Sequence, residues 1–325
     1  MRKILITGAG GFIGFHLGNN LAARGYETVG VDLHYPSESY GAENSGFRHL
    51  TGDFRNEKLM EEALRDVDVV FHLASAHLQV SLNDADYWDI NVHNIRPFMD
   101  LSQKMGVKRF VHVSSVGIYG NLKRWPADEV APFEPQSIYG ETKLAGELEA
   151  QRFGQEMNFP VVIIRPAWVY GPGCPRTLKI YRALRKGRFI MIGRGNNLRH
   201  PIYISDLLDA FLLSMELESA IGEVFIIAGE RAITTRELVD DFCRVLGVPR
   251  PKVQIPYAVG VAIATCSEKL SGIFKVEPPI SMRTLEFFDT NNAFDISKAR
   301  KTLGFDPKVS FEEGLKHTGD WLRKQ

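Results

Sequence analysis

Tyr139 and Lys143 stand four residues apart in a stretch that reads as a helix, roughly Ile138 to Glu156, so their side chains project from one face. A free tyrosine has a pKa near ~10 and is a poor base at neutral pH, whereas a neighbouring ammonium favours phenolate and lowers that value. A phenolate placed there can take a hydroxyl proton while hydride leaves the carbon, and a hydroxyl at a neighbouring strand end can hold the reacting oxygen. Ser115, just past the strand-like run Phe110 to Val113, is that hydroxyl. A Tyr-x-x-x-Lys pair by itself is an ordinary helix face. Its weight comes from other features in the chain that point to the same site.

The first of these is a glycine turn. Lys3 to Thr7 is a short apolar run without alternation, read as a buried parallel strand, and it feeds into Gly8-Ala9-Gly10-Gly11-Phe12-Ile13-Gly14 before an amphipathic helix, Phe12 to Arg24. A helix N-terminus carries unpaired N–H groups and a partial positive charge, so this turn suits a pyrophosphate. Gly8 permits the sharp turn, Gly11 leaves room for phosphates, and Gly14 lets helix and strand pack closely. The spacing is G-x-x-G-x-x-G rather than G-x-G-x-x-G. Glu27 to Val31 then reads as a second strand ending in Asp32, about 20 residues beyond the turn, where a carboxylate can accept hydrogen bonds from an adenosine ribose. It also repels a 2′-phosphate, and no Arg or Lys follows until Arg48, so NAD is expected over NADP.

Strand-like and helical runs go on alternating to about residue 166, the pattern of a doubly wound parallel sheet. Further strands are expected at Phe47 to Leu50, Val67 to Leu73, Phe110 to Val113 and Val161 to Ile164. Ligands of such sheets lie beyond the strands' C-terminal ends. Those ends are Gly52-Asp53-Phe54, Ala74-Ser75, Ser114-Ser115 and Arg165-Pro166. Asp53 is read either as an acceptor for an adenine amino group or as a turn or helix-capping residue. Small residues at Ala74 and Ser75 let a cofactor lie close to the backbone. The breaker-rich Tyr170 to Pro175 marks a boundary, and beyond it helices dominate, with strand-like Phe189 to Ile192 and Val224 to Ile227 interrupting them.

Composition narrows the classes of function. Lys plus Arg equals Asp plus Glu at 39 each, giving a formal net charge of zero, and no long basic block supports nucleic-acid or membrane-surface binding. Cys174, Cys243 and Cys266 are odd in number and lack metal-ligand spacing, as expected of reduced thiols in a cytoplasmic protein without a metal. Ile4 to Ile6 is too short for a signal-peptide core, and Ile255 to Cys266 too short to span a bilayer, though long enough for an apolar helix at a substrate entrance.

The chain resembles the extended short-chain dehydrogenase/reductase superfamily, in particular its NAD-dependent epimerase/dehydratase branch. The resemblance rests on Thr7 to Gly14, Gly52-Asp53, His72-Leu73-Ala74, Val113-Ser114-Ser115 with Tyr119-Gly120, Tyr139 to Lys143, and Arg165-Pro166 with Val169 to Gly173. Later echoes are Arg199 with Ile202-Tyr203 and Asp206, and Ser297 to Ala299 before Leu303-Gly304-Phe305. It implies a Rossmann-type α/β fold, with residues 1–170 as the NAD-binding domain and 171–325 mainly a smaller mixed α/β substrate lobe, part of 200–230 returning to the first. It also implies that Tyr139 is the catalytic base, Lys143 binds the nicotinamide ribose and tunes Tyr139, and Ser115 polarises the substrate oxygen. Asp32 and Asp53 would bind adenosine ribose and adenine. Phe12 and Ile13 at the helix start, and Phe54, Leu73, Ala74, Ser75, Asn91, Val113 and Pro166 around the strand ends, would complete the cofactor channel. Family members pair through the tyrosine helix and the helix before it, which implies a homodimer.

Departures from the pattern limit the chemistry. Val116-Gly117 follows Ser115 where sugar dehydratases of this branch carry an Asp-Glu pair, so dehydration is not expected. Trp168 replaces an asparagine usual in nucleotide-sugar epimerases and resembles the apolar wall of 3β-hydroxysteroid dehydrogenases and dihydroflavonol reductases. Arg199 sits where epimerases place a diphosphate-binding arginine, and is otherwise a plain surface residue. The sequence favours an NAD-dependent nucleotide-sugar epimerase working through a keto-sugar, on the strength of Arg199. The alternative is an NAD-dependent dehydrogenase or reductase of a hydrophobic alcohol or ketone.

Overall fold

The computed structural model describes residues 2–34, 46–77, 82–274 and 282–324, with side chains omitted for 268–274 and 282–284. Seven parallel strands form the central sheet in the order β3-β2-β1-β4-β5-β6-β11. They are β1 (Lys3–Thr7), β2 (Glu27–Asp32), β3 (Arg48–Thr51), β4 (Val69–His72), β5 (Arg109–Val113), β6 (Val161–Pro166) and β11 (Val224–Ile227). The crossovers carry α1 (Phe12–Ala23), α2 (Glu57–Ala63), α3 (Asp84–Trp88), α4 (Ile95–Lys104) and α5 (Ile138–Glu156). Residues 35–45, which separate Asp32 from Arg48, lie outside the described residues.

These strands carry little polar alternation because both faces of the sheet are covered. Ile4, Ile6, Val69, Phe71, Val111, Val162 and Ile164 enter one apolar cluster with Leu17 and Leu21 of α1. Their neighbours Leu5, Val70, Phe110, Val161 and Ile163 enter the other, with Met60, Phe98, Met99 and Phe153. Alternate side chains of a strand point to opposite faces, so each strand serves both cores.

After β6 the chain continues through β7 (Trp168–Tyr170), α6 (Pro175–Arg185), β8 (Ile190–Ile192), β9 (Leu198–Arg199) and β10 (Pro201–Tyr203). Next comes α7 (Ile204–Glu216), whose Leu207 and Phe211 join the α1 side of the core before the chain reaches β11. Then follow β12 (Ile233–Thr234), α8 (Thr235–Leu246), β13 (Val253–Ile255), α9 (Tyr257–Phe274), α10 (Met282–Asp289), α11 (Ser297–Leu303) and α12 (Phe311–Arg323). The short strands pair as β10 with β7, β12 with β9 and β13 with β8. Among the described residues no helix is long and apolar enough to cross a membrane, and no cluster of His, Cys, Asp and Glu could hold a metal ion.

A buried ion pair seats α5 on the sheet. Arg165 of β6 donates through Nε to both carboxylate oxygens of Glu147 at 3.2 and 3.1 Å, and its Nη1 reaches the Tyr119 hydroxyl and, at 2.9 Å, the Glu129 carbonyl. Both side chains of the pair are almost wholly buried, so the forked geometry and the extra acceptors offset desolvation. On the other side of α5, a Cβ on Gly146 would come within 2.0 Å of the Asn91 carbonyl, so glycine lets α5 approach the π-helical turn Asp89–His93.

Candidate active site

The glycine turn presents its main chain where the sequence expected phosphates. Gly8 has φ of 74°, and a Cβ there would lie 2.7 Å from the Ala74 nitrogen. A Cβ on Gly14 would lie 2.2 Å from the Gly8 carbonyl oxygen. Gly11 caps α1 without any side-chain hydrogen bond, and no acidic residue occupies the first turn, which begins with Phe12 and Ile13. The amide groups at this end therefore have no competing side chain, and the residues present fit a dinucleotide pyrophosphate. Asp32, last in β2, accepts from Gly10 N at 2.9 Å and His34 N at 3.1 Å, so the turn itself holds the carboxylate at the strand end.

The other strand-end residues divide into those that reach the site and those that support it. Asn91 is buried, and its amide is fully engaged: Oδ1 accepts from Ala76 N at 2.8 Å and Ser75 Oγ at 3.0 Å, while Nδ2 donates to Ala76 O and to Thr142 Oγ1. It ties the loop after β4 to α5, one residue before Lys143. Leu73 and Ala74 are fastened to β1 through Thr7, whose carbonyl accepts from Leu73 N and whose hydroxyl accepts from Ala74 N. Phe54 is buried in the core, its ring packed against His72 and Phe98. Asp53 accepts from Arg55 N and Nε, both at 2.9 Å, and this pairing holds its carboxyl below the usual range. Pro166 ends β6 opposite Ile227.

Ser115, Tyr139 and Lys143 come together at the end of β5. Ser137 caps α5 by accepting from Gly140 N at 3.2 Å, which fixes the helix start two residues before Tyr139. Ser115 Oγ accepts from Gly117 N at 3.0 Å and lies beside the Tyr139 ring, both near the point where a Gly117 Cβ would stand. Lys143 is buried and donates to the Val113 carbonyl at 2.6 Å. Burial pushes its pKa down to about 8, with Glu147 acting in the opposite direction. The effect of the lysine on the tyrosine differs from the simple expectation. Burial raises the Tyr139 pKa, and the opposing influences are the Ser115 hydroxyl and the charge of Arg176 rather than that of Lys143. The phenol is therefore protonated at neutral pH, ready to donate to an alkoxide as it forms.

Two groups that the sequence did not single out lie beside this trio. The His77 ring meets the Tyr139 ring edge-on at 4.5 Å between centroids, and Arg176 Nη2 of α6 lies 3.5 Å from His77 Nε2. Behind Lys143, His72 and His112 are stacked and fully buried. Burial, with the Lys143 charge, drives the His72 pKa down to about 3 and that of His112 well below its usual value, so both are neutral near pH 7.

Arg199 and Trp168 both make contacts with the C-terminal helices. Arg199 is buried and closes the C-terminal end of α10: Nε donates to Phe287 O at 3.1 Å, Nη2 to Glu286 O at 2.8 Å, and Nη1 to Thr290 Oγ1 at 3.1 Å. With the Asn292 amide turned, its oxygen accepts from Nη1 at 2.6 Å. The guanidinium also lies over the Phe287 ring, and burial pushes its pKa down to about 9, further aided by the Arg176 charge. Trp168 stacks on Tyr170 at 6.1 Å and meets Phe311 of α12 at 6.4 Å. A surface cavity of about 300 Å³ between α8 and α12 is lined by Tyr170, Arg231, Arg244 and Phe311 and contains none of the residues expected at the site.

The model of the NAD dependent epimerase/dehydratase family matches residues 4–228. The 2-alkyl-3-oxoalkanoate reductase of Stenotrophomonas maltophilia is 27% identical over 97% of both chains. The mouse sterol-4-alpha-carboxylate 3-dehydrogenase, decarboxylating, is 26% identical over 98% of this chain and 90% of its own. Among solved structures, UDP-glucose 4-epimerase of Thermotoga maritima with UDP-glucose superposes with a TM-score of 0.81, at 28% identity over 99% of both chains.

Proposed function

The chain belongs to the NAD dependent epimerase/dehydratase family and is an NAD-dependent enzyme, and from that premise we propose that it interconverts a secondary alcohol and a ketone that carry no nucleotide diphosphate. Bound NAD supplies the hydride acceptor or donor. Gly8, Gly11 and Gly14 with the start of α1 hold its pyrophosphate, and Asp32 its adenosine ribose. Ser115 holds the reacting oxygen, and Tyr139 gives or takes its proton. Lys143, anchored on Val113 O, keeps a positive charge at the end of β5 below about pH 8.

The observation that carries this reading is Arg199. A diphosphate is bound by guanidinium N–H groups that point at its oxygens. Here Nε and both Nη atoms already serve α10, so a diphosphate would have to displace protein acceptors from a buried group. Two of the relatives, a reductase of 2-alkyl-3-oxoalkanoates and a dehydrogenase of sterol 4-carboxylates, are named for alcohol–ketone chemistry on substrates without a nucleotide. The second reading, a nucleotide-sugar epimerase, is favoured by the likeness to UDP-glucose 4-epimerase along the whole chain.

The two readings differ in what happens to the cofactor. An epimerase returns its hydride and shows no net change in NADH, whereas a dehydrogenase converts NAD to NADH in step with substrate. The test follows absorbance at 340 nm with NAD and a panel of secondary alcohols, beside UDP-sugars assayed for epimerisation. Net NADH from a non-nucleotide alcohol is expected; epimerised UDP-sugar without it overturns the reading.

A further inference from the structure

We propose that Glu147 is a positioning residue for Lys143: its buried carboxylate, one turn further along α5, supplies the counter-charge of the Lys143 ammonium, and Arg165 fixes the carboxylate for that task. The proposal concerns the acid/base trio that both readings above share, so it does not depend on the choice between them. Tyr139, Lys143 and Glu147 follow one another at intervals of four along α5, which sets them in a line on the face turned to the sheet. Lys143 donates to Val113 O at the end of β5 at 2.6 Å, and Glu147 is gripped by Arg165 of β6. Gln151, one turn on again, donates to Glu147 Oε1 at 3.1 Å. The carboxylate is thus held both from β6 and from the next turn of its own helix. Helical spacing puts the Cβ atoms of Lys143 and Glu147 about 5–6 Å apart.

The buried charges here alternate as ammonium, carboxylate and guanidinium. Among the described residues the buried acids are Glu147 and Asp206, and Asp206 is taken up by Val309 N at 3.1 Å. The strands beneath Lys143 bring no other negative charge: His72 of β4 and His112 of β5 are buried and neutral, and Arg165 of β6 is a cation. From the remaining elements against α5 come the phenols of Tyr87 and Tyr119 and the amide of Asn91, all buried. Asp89 and Arg96 are partly exposed and paired, Asp89 with Arg55 and Arg96 with Glu149 and Glu156, and His93 is exposed. With Glu147 uncharged, Lys143 and Arg165 would be two buried cations on one face. Arginine keeps its proton inside a protein and lysine can give it up, so the lysine would lose its charge first. Burial already favours the neutral amine, and the Glu147 charge acts against it. An ammonium beside Tyr139 stabilises the alkoxide through which hydride transfer passes.

The test reads the lysine itself in the free protein, apart from substrate and turnover. Full-length protein carrying lysine labelled with carbon-13 at Cε is titrated by NMR from about pH 5 to about pH 11. The Lys143 signal is assigned by its loss in Lys143→Met. In wild type it should titrate at about 8. Glu147→Gln keeps the shape and an acceptor for Arg165, and should move that midpoint down by about one pH unit or more, the scale of one opposite charge at this range. Glu147→Asp, shorter but charged, should recover part of the shift. Should Glu147→Gln not fold, the double variant Glu147→Gln/Arg165→Gln, which leaves no arginine buried without its carboxylate, should show the same fall. An unchanged midpoint in Glu147→Gln, or in the double variant standing in for it, means that the carboxylate only seats α5 and overturns the proposal. A wild-type midpoint at about 6 or lower, the range of buried lysines without a counter-charge, overturns it as well. None of these results bears on the NADH assay above, so the two can fail separately.

Discussion

Replacing Gly14 with alanine tests whether the glycine turn works by close approach. The new Cβ would start 2.2 Å from the Gly8 carbonyl oxygen and 2.9 Å from Ala9 Cα, both backbone atoms that no rotamer change can move. Reaching even 3.0 Å from that oxygen requires α1 and the turn to part by about 0.8 Å. Overpacking of this kind costs about 1–3 kcal/mol of stability. The separation also turns the first amides of α1 away from the pyrophosphate. Losing one charge-assisted hydrogen bond of about 1.5–3 kcal/mol weakens NAD binding roughly ten- to a hundredfold. The control is Gly25→Ala: φ is 84° there with no atom within 4 Å, so alanine brings left-handed strain of about 1–2 kcal/mol without touching the turn. Calorimetric titration with NAD and thermal unfolding of both variants decide the matter. Gly14→Ala should lose affinity and stability, and Gly25→Ala stability alone. Unchanged NAD affinity in Gly14→Ala, or equal affinity losses in the two variants, refutes the close-approach argument.

Arg199→Ala should lower stability by about 1–3 kcal/mol, because the carbonyls of Glu286 and Phe287 each lose a charged donor, and should leave binding of a nucleotide diphosphate unaltered; a selective loss of UDP-sugar binding at unchanged stability would restore Arg199 to the site. Lys143 holds its proton in the unfolded chain up to about pH 10.4 but loses it near pH 8 when folded, so the unfolded state binds more protons between those values and stability rises with pH there. Urea unfolding of wild type against Lys143→Met at pH 7.5 and 9.5 should therefore move in the wild type's favour at the higher pH, and a constant difference would show that burial does not depress the lysine. Asp32→Ala should narrow the preference for NAD over NADP measured by titration of both, since the carboxylate that repels a 2′-phosphate is gone; an undiminished preference means another group makes the choice. Tyr139→Phe should keep NAD affinity and lose turnover by about a hundredfold or more, and near-normal turnover would place the acid/base elsewhere.

The sequence reads well where cause and effect are close together along the chain. The run from Lys3 to Gly14 and the strand ending in Asp32 form a single βαβ unit, so hydrophobic runs, glycine spacing and the terminal carboxylate all act within about thirty residues. Tyr139 and Lys143 share a helix face by local periodicity. Their proton affinities do not follow from that spacing, because the burial that lowers Lys143 and raises Tyr139 comes from strands brought in from elsewhere. β11 has the look of a strand, but its seat beside β6 in the main sheet is a pairing across some sixty residues that no local pattern encodes. β9 and β12 are two residues each, too short for any period to show.

Arg199 and Arg176 show how distance along the chain misleads about substrate. Arg199 lies in a stretch with the spacing of a phosphate site, yet its hydrogen-bond acceptors come from Glu286 and Phe287, 87 and 88 residues further on. Nothing near position 199 announces that partnership. Arg176 is one of several cations in a basic helix, and its place beside Tyr139 shows only through His77, 99 residues earlier, which lies against both. The cofactor turn and the acid/base pair are local constructions, so a change of substrate need not disturb them. Arg176, His77 and Arg199 are instead placed by long-range contacts between α6, the loop after β4 and the helices beyond β13. A family defined by the first set therefore tolerates wide variation in the second, and the reaction class here reads more directly from the sequence than the molecule on which it acts.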